Sequence, residues 1–102
     1  MGNGVDLEQK QREDARWRML RVLDAGRPIG VNETIVWRVL HDVKIGLSQM
    51  QIRRELKYLQ DLGLVYIQGE GSETWSANLT ASGVNIVEYT VECPPGIARP
   101  RQ

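Results

Sequence analysis

From Leu7 to Ala25 neither glycine nor proline interrupts the chain, and Ala15, Met19, Val22 and Leu23 recur at the spacing that gathers them on one side of a helix. Gly26 and Pro28 end that helix. The stretch GRPIGVNET is a turn-rich connection with room for a very short extended piece at Pro28 and Ile29, and Asn32 is a good N-cap. A second helix is expected from Glu33 to Val43, with Ile35, Val36, Val39, Leu40 and Val43 on one face. KIGL turns the chain, with Gly46 as the left-handed residue. Ser48 then caps a third helix, residues 48–62, whose apolar stripe is Ile52, Leu56, Leu59 and Leu62 and whose stop is Gly63. After it the period shortens: LVYIQ at 64–68, a turn GEGS at 69–72, and TWSANL at 74–79 with Trp75, Ala77 and Leu79 alternating inward read as a β-hairpin. Thr80 caps a last helix carrying Val84, Val87 and Val91, which the paired prolines of CPPGIARPRQ cannot continue.

The order helix, helix, turn, helix, strand, strand, helix is that of a winged helix-turn-helix domain. The expected class is α+β, mainly α: a three-helix core, a two-stranded β-hairpin wing and a C-terminal helix. At 102 residues the chain suits one small domain. Its expected organisation is a flexible N-terminus at 1–6, the winged-helix domain at 7–92 and a Pro-rich C-terminal tail at 93–102.

In such a fold the third helix carries the chemistry. With Ile52 in the middle of the buried stripe, Arg53, Arg54 and Lys57 point away from the core, with Met50, Gln51 and Tyr58 along the edges. Arg pairs bidentately with guanine, Gln with adenine, and Lys suits a phosphate. Ser48 and Gln49 at the helix start are placed to meet backbone phosphate. The candidate DNA-binding set is therefore Ser48, Gln49, Gln51, Arg53, Arg54, Lys57 and Tyr58. The competing reading is a solvated basic face. Glu55 and Asp61 dilute its charge, and the wing tip holds Glu70 and Glu73 with no Lys or Arg, whereas a wing lying along a phosphate backbone should be neutral or basic.

Charge adds no support for a polyanion partner. Thirteen basic and thirteen acidic residues cancel, so any nucleic-acid affinity must come from a local patch. The composition, 41% hydrophobic and 25% charged, is that of a globular chain. One Cys (Cys93) and one His (His41) supply neither a disulfide framework nor a metal cage, so no metal or cofactor is expected. His41 has no partner motif for catalysis, and Gly69 and Gly71 punctuate a hairpin rather than cradle a phosphate, so no enzyme is expected. No run of about 18 apolar residues spans a bilayer. With the polar start MGNGVDLEQKQRED and a lone Cys, this points to the cytoplasm.

Large aromatics off the apolar stripes suggest a second kind of surface. Trp17 falls opposite the stripe of the first helix, Trp37 lies off that of the second, and Ile86 and Tyr89 lie off that of the last. They form a candidate protein interface, against the alternative that the N-terminal arm or C-terminal tail folds over them. A homodimer through the first and last helices is the expected assembly.

The run IRRELKYLQDLGLV, followed by a glycine-bearing hairpin and WSANLTASGVNIVE, resembles winged-helix domains of the ArsR and MarR type. More narrowly, ARWRMLRVLDAGRPIGVNETIVWRVL and LTASGVNIVEYTVECPPGIARP resemble a family of small winged-helix proteins of Mu-like transposable phages and prophages, from Ala15 to Pro100. That resemblance implies a winged-helix fold and double-stranded DNA binding in transcription regulation, or an accessory role, in a bacterial host cytoplasm during phage development. The ArsR-type metal clusters have no counterpart here. The rival function is a protein-interaction module of phage development that uses the fold without binding DNA.

Overall fold

A computed structural model describes residues 6–102, and most of the N-terminus expected to be flexible therefore lies outside the described residues. The first helix, α1 (Leu7–Ala25), starts at Asp6, whose carboxylate accepts from the Gln9 amide, and runs to the Gly26 end read from the sequence. A two-residue strand, β1 (Val31–Asn32), leads into α2 (Glu33–Asp42), where the Asn32 side chain caps the Ile35 amide. The turn after α2 takes its left-handed residue at Lys44, with φ 68°, rather than at Gly46. A capping box opens α3 (Gln49–Asp61): Ser48 Oγ accepts from the Gln51 amide and Gln51 Oε1 accepts from the Ser48 amide. Gly63, at φ 78°, turns the chain into the hairpin of β2 (Val65–Gln68) and β3 (Ser76–Leu79), and Thr80 caps α4 (Ala81–Val87).

The sheet is wider than the expected hairpin. Its three antiparallel strands run in the order β1-β3-β2, with Val31 opposite Ala77 and Val65 opposite Leu79. The short extended piece thus falls at 31–32, not at Pro28 and Ile29. There its backbone completes the free edge of β3.

One core joins all these elements. Met19, Leu20 and Leu23 from α1 meet Val36 and Leu40 from α2 and Ile52, Leu56 and Leu59 from α3, closed by Val65, Ala77 and Leu79 of the sheet and Ile86 of α4. The α3 stripe is as expected except for Leu62, which is exposed. The second helix is not: only the line Glu33, Val36 and Leu40 is buried, and Ile35, Val39 and Val43 remain exposed. Both α1 and α3 converge on that one line, leaving the flanks of a ten-residue helix to solvent.

The last helix is also rotated from its expected phase. Gly83 and Ile86 are buried, Val84 and Val87 only partly, and Val91 lies beyond the helix and is exposed. The reason is at Gly83, where a Cβ would fall on the Leu64 carbonyl oxygen. The bare glycine lets α4 back directly onto the hairpin, and Ile86, one turn on, follows it into the core.

Two further expectations are corrected by the tail. Trp17 is 6% exposed and Ile86 3%, so neither presents an interface. The chain after α4 folds back along α1: the Ala98 amide donates to the Glu13 carbonyl, Tyr89 Oη donates to Pro100 O at 2.7 Å, and Arg99 donates to the Ile86 and Val91 carbonyls. Trp17 meets Tyr89 edge to face at 6.0 Å, and Ile97 closes the seam. A covering C-terminal tail, rather than an open aromatic surface, is what the fold contains at this place.

Candidate nucleic-acid interface

The outer face of α3 is set by the core stripe on its opposite side. Gln49, Met50, Gln51 and Arg54 are exposed on its first two turns, Met50 to 71%. Among the described residues, the side chain of Arg54 has no hydrogen-bond or ion-pair partner, while Gln49 lies beside the Glu33 carboxylate and helps to stabilise its charge. Ser48 and Gln51 lie beside them, but each already serves the other in the capping box.

Arg53 does not join this free face. Its Nε and Nη2 each donate at 2.7 Å to the carboxylate of Glu33, Nη2 also donates to the Glu73 carbonyl at 2.8 Å, and the guanidinium lies 4.6 Å from the centroid of the Trp75 ring. Glu33 is 3% exposed and also accepts from the Trp75 amide at 2.7 Å, while its own amide donates to the Trp75 carbonyl. The Arg53 fork, aided by the Trp75 amide, holds the Glu33 carboxyl below its ordinary value against the opposing effect of burial. This cluster fastens the start of α2, the middle of α3 and the base of the wing to one another. Trp75 is accordingly half-buried at the rim, capped by Arg53 and donating its Nε1 to Glu70 O, rather than wholly inside.

Two more candidate residues are partly occupied. Lys57 Nζ lies 3.2 Å from Glu70 Oε2, an exposed pair that water screens, so the acidic wing tip does reach the helix face. Tyr58 sits at the seam with α1: the Arg16 guanidinium stacks 3.7 Å above its ring, and its hydroxyl occupies the space that a Cβ on Gly96 would need. Arg16 itself is 2.6 Å from Glu55 and donates to Gly96 O, so its charge is spent inside the molecule.

The arginines of α1 therefore do not make one basic face with α3. Arg16 borders α3 but is neutralised there, Arg12 shares a cleft with Arg54, and Arg18 and Arg21 line a groove on the other side of α1 with Trp17 and Val22. Trp37 is 39% exposed and stacks flat on His41 at 4.9 Å, beside Thr34 and Gln49. Of the four candidate interface residues it is the one clearly open to a partner, since Tyr89 is held by Trp17, Arg99 and Pro100.

Glu33 was not singled out for this role in the sequence. A glutamate just inside a helix start reads as a complement to the helix dipole, and no local spacing ties it to an arginine 20 residues on. Among the described residues no group of His, Cys, Asp and Glu is arranged to hold a metal, and no helix is long and apolar enough to cross a membrane.

No model of a known protein family matches the chain, and no curated protein matches it. Solved structures do. The chain is similar to S. aureus MepR in a complex with DNA, at 18% identity and a TM-score of 0.62, over 83% of this chain and 68% of that one. It is similar also to a lysine-for-glycine mutant of S. aureus MepR, at 20% identity and TM-score 0.59 over 80% and 64% of the two chains. A proline-for-glutamine mutant from a multidrug-resistant S. aureus clinical isolate gives 17% identity and TM-score 0.62 over 86% and 63%. The chain thus spans about two thirds of the length of the proteins it matches. At these identities the likeness is one of fold, a MepR-like winged helix with a three-stranded antiparallel sheet.

Proposed function

We propose that this chain is a double-stranded DNA-binding winged-helix protein, a transcriptional regulator or accessory factor of the kind phages and prophages encode, acting in the bacterial cytoplasm. The observation that carries the reading is the start of α3, where Gln49, Met50 and Arg54 are exposed on a helix held rigidly by its opposite face. A helix so presented fits the major groove, with Arg54 and Gln49 supplying hydrogen bonds to base edges or phosphates and Met50 an apolar contact to a thymine methyl. Lys57 joins them by exchanging Glu70 for a phosphate. The fold likeness to MepR, one of whose structures holds DNA, supports the same reading. Two copies bound to half-sites about one helical turn apart would follow the usual geometry of such readers.

A second reading is favoured by one specific observation: Arg53 and Lys57 are both met by carboxylates of the same chain. In that case the fold is a protein-interaction module of phage development, with Trp37 on its docking face. Fluorescence anisotropy of labelled mixed-sequence duplexes, at low and physiological salt, decides between them. Salt-sensitive binding weakened by Arg54→Ala supports the DNA reading. Absence of binding even at low salt overturns it and leaves the interaction module.

A further inference from the structure

The side of α1 that faces α3 carries Glu8, Arg12 and Arg16 at successive turns. Arg16, at the inner end, is saturated by Glu55, Gly96 O and the Tyr58 ring. One turn toward the N-terminus Arg12 has no hydrogen-bond or ion-pair partner among the described residues, and Glu8, one turn further, does not pair with it. Directly across lies Arg54, equally without a partner. Both guanidinium groups line one cleft of about 190 Å³, together with Gln11, Gln51 and Leu47. Two carboxylates, Glu8 and Glu55, border it as well. The charge of Glu55 is already met by Arg16, so two arginines face one exposed glutamate, and the cleft keeps a positive excess.

We infer that Arg12 and Arg54 form a clamp for a DNA backbone phosphate between α1 and α3. The inference rests on the DNA-binding reading and adds to it a contact from α1. Its geometry follows from widths: a helix about 10–12 Å across fills a major groove of about 12 Å, so the two phosphate backbones run along the helix flanks. On one flank of α3 the wing side is closed by the cluster of Arg53, Glu33 and Trp75. On the other flank the cleft is open, and Arg54 and Arg12 stand on either wall of it. Guanidinium groups match the oxygens of a phosphate with paired hydrogen bonds, and Gln11 and Gln51 add neutral donors beside them. Two like charges left unpaired side by side repel one another, and a phosphate relieves that repulsion while binding.

The test is the salt dependence of duplex binding by the full chain, compared for the parent, Arg12→Ala, Arg54→Ala and Arg21→Ala. Arg21 lies on the opposite side of the same helix and serves as the control. Each phosphate that the protein ceases to neutralise lowers the slope of log K against log salt by about 0.9. Arg12→Ala is expected to lower the slope by about that amount and to weaken binding several-fold, equally across duplex sequences, with an unchanged melting temperature. Arg21→Ala is expected to change neither. A parent-like slope for Arg12→Ala, with Arg54→Ala still impaired, overturns the clamp and leaves the DNA reading standing. Weakening by Arg12→Ala that depends on duplex sequence also overturns it, because it marks recognition of a base. A parent that binds no duplex at any salt removes both.

Discussion

The guanidinium of Arg53 grips the carboxylate of Glu33 through two 2.7 Å hydrogen bonds while lying against the ring of Trp75. Thus one of the two α3 arginines chemically suited to guanine is built into the joint between the helix-turn-helix and the wing. Neighbouring residues 53 and 54 have different tasks because successive helical side chains diverge by about 100°, one toward the wing and the other toward α1.

Substitution should separate those tasks. Arg53→Lys keeps a positive charge but loses the two-pronged grip and the flat face that stacks on Trp75. It is expected to lower the melting temperature measured by circular dichroism, with a further change in Trp75 fluorescence. Arg54→Ala is expected to melt with the parent and to lose duplex affinity. A melting temperature lowered by Arg54→Ala but not by Arg53→Lys would reverse the assignment.

Acid should loosen the same joint. The Glu33 carboxyl sits below its ordinary value of 4.5 in the folded chain, chiefly through Arg53, so the folded state binds its proton less readily than the unfolded state. The stability it contributes is present above that ordinary value and is lost as pH falls through the lower folded one. Urea unfolding of the parent and Glu33→Gln between pH 7 and pH 3 is therefore expected to show the parent more stable at neutral pH, with the gap closing below about pH 4.5. A gap independent of pH would mean that the charge of Glu33 contributes nothing.

The folded-back tail is expected to be part of the stable domain. Ile97 is 8% exposed and seals the seam that buries Trp17, so Ile97→Ala should cost about 2–3 kcal/mol, near the low end for a buried isoleucine. Equilibrium denaturation measures it, and tryptophan emission should shift to the red as Trp17 gains water. A neutral substitution would show that the tail's packing adds no stability.

Close backing of α4 onto the hairpin makes its own demand. In Gly83→Ala the new methyl meets the Leu64 carbonyl, a backbone atom with no rotamer to yield. Destabilisation of about 1–3 kcal/mol is expected from such overpacking. Retained stability would require the hairpin to shift, visible as altered amide resonances around Leu64 and Thr80, whose backbone bond joins them at 3.0 Å.

Local physics made much of the fold legible. Caps at Asn32, Ser48 and Thr80, the stops at Gly26 and Gly63, and the change of period after α3 each depend on residues within a few positions of one another, and the helix and hairpin order followed from them. So did the outward direction of Gln49, Met50 and Arg54, because a helix with one buried stripe has only one face left. What the tertiary structure alone decided were the pairings across long separations. Which flank of α2 meets α1, how Gly83 turns α4, and where the tail lies depend on surfaces that exist only after the elements dock. The fate of each charge belongs with them: Arg53 and Arg54 are indistinguishable in sequence, and a buried glutamate 20 residues away, brought close by packing, neutralised one, while the other has no partner among the described residues.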